Sequence, residues 1–227
     1  MAKKIFLIVL LNILFMNTQS SSQTDYWQRD YNNSFAITVK DGYKGLKDSN
    51  GNIAPIKYNE IGEFKEGIAV VTMNGKQGFL DKSGKEIVSV KYDMVNYDGF
   101  SEGLAVVKLN DKYGYLDKTG KEVIPIKYDM ALDFKEGIGK VDLNGKQGFI
   151  DKTGKEIIPI IYDGVWDLHE GISKVELNDK FGFIDKTGKE IVPIIYDWAS
   201  NFDFGVASLQ LNGQYIHIDK MGKEVKQ

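Results

Sequence analysis

The stretch GFIDKTGKE occurs twice, at Gly148–Glu156 and Gly182–Glu190. GYLDKTGKE (Gly114–Glu122) and GFLDKSGKE (Gly78–Glu86) are near copies. Its first four residues have the aromatic and β-branched content of a strand. Asp then stands at the first position of a four-residue turn and Gly at the fourth, which is type I turn chemistry. Lys-Glu opens the next extended segment. Aligned on this Asp, the chain repeats at Asp48, Asp81, Asp117, Asp151, Asp185 and Asp219, with intervals of 33, 36, 34, 34 and 34. A period of this length means a tandem array, to be read before any single element.

Other landmarks keep register with the Asp. Seven residues before it stands a turn pair: Asp41-Gly42, Asn74-Gly75, Asn110-Asp111, Asn144-Gly145, Asn178-Asp179 and Asn212-Gly213. Such pairs supply the two positive φ angles of a type I′ hairpin. All four prolines, Pro55, Pro125, Pro159 and Pro193, share one repeat position. A Tyr follows at Tyr58, Tyr92, Tyr128, Tyr162 and Tyr196, and then FKEG, FSEG, FKEG, LHEG or FDFG. Each unit therefore reads as a three-stranded antiparallel meander. Its Pro-bearing strand is short, bent or at an edge, because proline cannot donate to the ladder.

Alternation assigns the faces. Val71, Val107, Val141, Val175 and Leu209 stay apolar and are expected to point inward. The residue two before them is always small (Ala69, Ala105, Gly139, Ser173, Ala207), which predicts close approach of another backbone. The opposite face varies (Val70, Val106, Lys140, Lys174, Ser208) and is expected to be wetter. One meander buries too little alone, so neighbours must stack.

The run FSEGLAVVKLNDKYGYLDKTGKEVIPIKYD, Phe100–Asp129, closely resembles the bacterial WG-repeat (KWG-repeat) family. The resemblance covers most of the chain. It departs at the signature Trp, whose slot holds Lys44, Gln77, Tyr113, Gln147, Phe181 and Tyr215, and in the last copy Ile216 replaces the following Gly. It implies a β-rich tandem array, often exported, and brings no catalytic residue.

The expected fold is all-β: repeats of about 34 residues stacked as an open, twisted, solenoid-like array, with a closed six-bladed propeller as the alternative. The array occupies 34–227, in units 34–66, 67–102, 103–136, 137–170, 171–204 and 205–227. Residues 23–33, with Tyr26 and Trp27, are a cap in the open array or the missing strand of a propeller. Lys3 and Lys4, an apolar run from Ile5 to about Phe15 and small polar residues after it have the layout of a signal peptide, expected over 1–22. The run is short for a membrane span, and a retained anchor is the alternative. These features predict export to the periplasm, cell surface or medium, without stable membrane insertion once the signal is removed.

Cysteine is absent, so disulfides and thiol chemistry are excluded. A formal net charge of −3 lacks the basic excess of a nucleic-acid surface. The repeated Asp is expected to accept hydrogen bonds from its own turn. Histidine occurs only at His169 and His217, and no nucleophile, metalloprotease or phosphate-loop motif is present, so no catalytic residue, metal or cofactor is predicted. The role expected is binding or scaffolding for a protein or cell-envelope glycan, with a carbohydrate-active or hydrolytic enzyme as the alternative. Candidate partner-binding residues are Phe79, Tyr115, Phe149 and Phe183 in one strand row, Tyr113, Phe181 and Tyr215 two residues earlier, and Trp166 and Trp198 in the Tyr-to-Gly connectors. The row is expected to serve inter-repeat packing or a groove.

Overall fold

The computed structural model describes residues 28–29, 35–48 and 51–225. The expected signal peptide, and the 23–33 cap apart from Gln28–Arg29, lie outside the described residues. Six antiparallel sheets follow one another along the chain, five of four strands and the last of three. In sheet three the strands are Met94–Val95, Leu104–Leu109, Lys112–Asp117 and Glu122–Tyr128. The last three are the expected meander. The added two-residue strand lies just after the preceding Tyr-Asp and pairs Val95 with Val107. From the second sheet on, each sheet thus borrows its first strand from the end of the previous repeat, which couples the units covalently and by hydrogen bonds.

The turns explain the meander. Asn74 and Gly75 have φ of 52° and 74°, as a type I′ hairpin requires. The Glu-Gly pairs make a second such turn: Glu102 and Gly103 have φ of 49° and 90°, and Ser101 pairs with Leu104. Asp151 accepts hydrogen bonds from Thr153 N at 2.8 Å, Thr153 Oγ1 at 2.6 Å and Lys155 N at 3.0 Å. The same set recurs at Asp81, Asp117 and Asp185. The Thr153 bonds hold the Asp151 carboxyl below its usual pKa.

The Pro-bearing strand is the outer strand of its sheet and bulges. In sheet four, Gln147 pairs with Tyr162 but Phe149 with Ile158, leaving Pro159 in the irregularity. The bulge presses onto Gly148, where a Cβ would come within 2.6 Å of Ile158 O. This is why Gly follows the former Trp slot. Among the described residues sheet six has no fourth strand, and there Ile216 is accommodated.

Among the described residues five core clusters hold the array, each shared by two consecutive sheets. In the cluster between sheets three and four, Tyr115, Ile124 and Tyr128 of one meet Val141 and Ile150 of the other. The aromatic row of each sheet therefore packs against the Leu/Ile row of the next. Both faces of an inner sheet are buried, so the face expected to be wetter is not: Val70 and Val106 belong to the core. The small residues make room for side chains rather than backbone, since a Cβ on Gly139 would lie 2.9 Å from the Phe134 ring and 3.1 Å from the Tyr115 hydroxyl.

The array is open. Among the described residues no cluster joins sheet six to sheet one. The end faces carry polar replacements: Lys47 stands where inner sheets have Leu80 or Ile150, and the Val70–Phe79 pair becomes Ser208 and His217, 3.0 Å apart. Ring closure would bury these groups against each other. Gln28–Arg29 pair with Ile37 and Ala36 in sheet one, so this piece does not complete sheet six.

Candidate functional site

The nine aromatic candidates separate by exposure. Phe79, Tyr115, Phe149 and Phe183 are at most 3% exposed and are core residues. Three of them meet a ring from the following connector: Phe79–Phe100, Tyr115–Phe134 and Phe183–Phe202, at centroid distances of 5.3, 4.9 and 4.8 Å. The Tyr115 hydroxyl also donates to Leu132 O at 2.7 Å, and burial pushes its pKa up. Phe79, Tyr115 and Phe183 are covered by these contacts, while Phe149 borders a cavity described below.

The former Trp slot serves mainly as inter-sheet glue. Gln77 and Gln147 accept from the backbone N–H groups of Val95 and Val165 in the next sheet, each at 3.0 Å. Tyr113 packs partly against the core and lies 5.7 Å from the Lys108 ammonium. Phe181 and Trp166 are 6.1 Å apart, and Lys174 Nζ sits 4.3 Å from the Trp166 centroid and 5.9 Å from that of Phe181. This ammonium also donates to Ala199 O at 3.2 Å, and burial pulls its pKa down. Trp166 and Phe181 are therefore engaged within the protein as a cover for a half-buried cation.

Trp198 and Tyr215 differ from the rest. They are 44% and 61% exposed, with ring centroids 6.3 Å apart. Trp198 pairs with Gln210, and Gln210 with Tyr215, so the three side chains form a row across sheet six. Ser208 and His217 share that face. Among the described residues no sheet covers it.

A second feature was not singled out in the sequence. Two clefts flank Leu168 between sheets four and five. One, of about 380 Å³, is lined by Lys140, Phe149, Asp133, Asp167 and His169 among others. The other, of about 530 Å³, is lined by Glu136, Asp151, Lys155 and Lys186 among others. Its signal in the sequence was present as two departures at core positions: Lys140 where Val70 and Val106 stand, and Leu168 where the other connectors have Phe. Among the described residues no cluster of three or more His, Asp or Glu is placed to hold a metal.

No curated protein matches the chain. Similar solved structures include a eukaryotic initiation factor, with 11% identity, a TM-score of 0.46 and coverage of 88% of this chain. This chain spans 64% of that one. Others are Kluyveromyces lactis Hsv2p (11% identity, TM-score 0.39, 87% and 75% of the two chains) and the AfRom2 CNH domain (8%, 0.37, 90% and 84%). The family model described as "WG containing repeat" matches residues 45–76, 78–113, 113–146, 148–181 and 181–215, each running from the third strand of one sheet to the third strand of the next. The chain belongs to the WG-repeat family.

Proposed function

We propose that this protein is an exported bacterial, non-catalytic module that binds or scaffolds a protein or cell-envelope glycan. The carrying observation is the exposed Trp198–Tyr215 pair on the uncovered face of sheet six. Two amphipathic rings beside Gln210, Ser208 and His217 combine apolar contact area with hydrogen-bonding groups, the composition expected at the centre of a binding surface. The N-terminal signal layout supports export.

A glycan array probed with the mature protein and with a Trp198→Ala, Tyr215→Ala double variant tests the reading. Enrichment of envelope glycans that the double variant loses supports a glycan partner. Glycans bound equally by both proteins would remove this surface from the reading. The N-terminal sequence of the protein recovered from outside the cytoplasm tests export, and an intact Met1 in that fraction would contradict signal removal.

A further inference from the structure

The interfaces between sheets two and three and between sheets four and five can be compared position by position. At the first, a cleft of about 250 Å³ is lined by Glu66, Ile68, Asp81, Ile87, Phe100 and Lys118. The corresponding residues at the second are Glu136, Ile138, Asp151, Ile157, Leu168 and Lys186, and the cleft there measures about 530 Å³. The first cleft is also bordered by the Lys65–Asp98 ion pair. Among the aligned apolar residues the difference is Phe100 against Leu168, a ring fewer at the wider cleft. On the other side of Leu168 lies the cavity of about 380 Å³.

That cavity carries the second departure. Lys140 is the cross-strand partner of Phe149, where Val70 faces Phe79 and Val106 faces Tyr115. Its half-buried ammonium donates to Val165 O. It is not among the ion pairs found between described residues, and burial pulls its pKa down, partly offset by the charges of Asp167 and Asp142. In the next repeat the equivalent Lys174 is covered by Trp166 and Phe181. The residues at those two positions around Lys140 are Leu132 and Gln147, so no ring covers it. An uncovered, half-buried cation beside a cavity favours an incoming anion. Asp133, which also accepts from Asn96 Nδ2, lines the same cavity with Asp167 and Glu136, and these carboxylates favour a cation beside the two lysines Lys135 and Lys140. Ile138, Phe149 and Leu168 give it an apolar wall. The size falls within the range of small-molecule sites.

We propose that the cavity of about 380 Å³ beside Leu168 binds a small zwitterion of the amino-acid class with an apolar side chain. Its carboxylate meets Lys140, its ammonium meets Asp133 and Asp167, and its side chain lies against Leu168 and Phe149. The site is independent of the Trp198–Tyr215 surface.

The repeat supplies its own test variants. Leu168→Phe restores the ring found at Phe64, Phe100, Phe134 and Phe202, and Lys140→Val restores the residue of sheets two and three, so both are compatible with the fold. Leucine, N-acetyl-leucine and leucine amide are titrated into the protein by calorimetry, with amide NMR shifts read in parallel. Leucine should bind with shifts confined to residues around Leu168. Each blocked analogue and each variant should weaken binding at least about tenfold, with thermal stability of the variants unchanged or raised. No leucine binding to the native chain, undiminished binding to Leu168→Phe, or equal binding of N-acetyl-leucine would each overturn the proposal.

Discussion

The Asp129 carboxylate accepts a hydrogen bond from the backbone N–H of Asn144 at 2.6 Å, across the boundary between sheets three and four. Its other oxygen accepts from Lys112, in the hairpin one repeat earlier. Asp93, Asp163 and Asp197 repeat the arrangement, each linking a Lys in one hairpin to an Asn in the next. The Lys bond, then the Asn N–H bond, holds each of these carboxyls below the ordinary value of 3.8. A folded-state pKa below the unfolded one means stability that is complete above about 4 and is lost as pH falls through the lower folded values. Urea midpoints should therefore be flat from pH 7 to about 5 and fall steeply below 4. An Asp129→Asn, Asp163→Asn double variant should show a shallower fall. An unchanged slope would remove these carboxylates from the acid response.

Gly148 and Ile216 occupy one repeat position and should respond oppositely to a side chain. Adding a Cβ at Gly148 drives it against Ile158 O and Pro159 O, at 2.6 and 2.7 Å. Gly148→Ala should lower stability by about 1–3 kcal/mol, as overpacking does. Ile216 packs on the sheet-six core, so Ile216→Gly should also destabilise, by lost contact rather than by relief of a clash. Chemical denaturation of both variants checks the pair. A stabilised Gly148→Ala would show that the bulge yields.

Tyr115→Phe keeps the ring packed on Phe134 and removes only the bond to Leu132 O. The loss expected is about 1 kcal/mol, more if the carbonyl is left dry. A larger drop in Tyr115→Ala, by roughly 3–5 kcal/mol, would confirm that this row is core. Equal stability of all three proteins would return Tyr115 to the list of surface rings.

The two connector tryptophans should part in the same experiment. Trp166→Ala uncovers Lys174 and should cost about 0.5–2 kcal/mol from the cation–π contact plus lost packing. Trp198→Ala, at an exposed position, should change stability by no more than about 0.5 kcal/mol. Reversal of that order would mean that Trp198 is structural.

Sequence alone carried the meander because its turns depend on local chemistry: Asn-Gly pairs and the Asp-to-Gly turn specify backbone angles without help from the rest of the chain. The two-residue strands such as Met94–Val95 were hidden, since two residues show no period. The turn at Glu102-Gly103 was hidden because Glu rarely takes a positive φ, and only the Gly after it gave a hint. Alternation placed Phe79 and Leu80 on opposite faces and left the aromatic row to inter-repeat packing or a groove. The next sheet buries all four rings of that row, whereas Trp198 and Tyr215 stay exposed. Lys140 and Leu168 were visible as departures, yet their meaning required knowing that they share one interface.

Among the described residues each sheet in this array shares core clusters with the sheets before and after it and with no other, and that has a mechanical consequence. The interfaces act in series. A load applied to the two ends is borne in full by every one of them, and the weakest yields first. Pulled from its ends, the protein should lengthen in steps, each releasing one unit of about 34 residues, or roughly 110–120 Å of chain. The interface between sheets four and five, thinned at Leu168, is where the first step should fall.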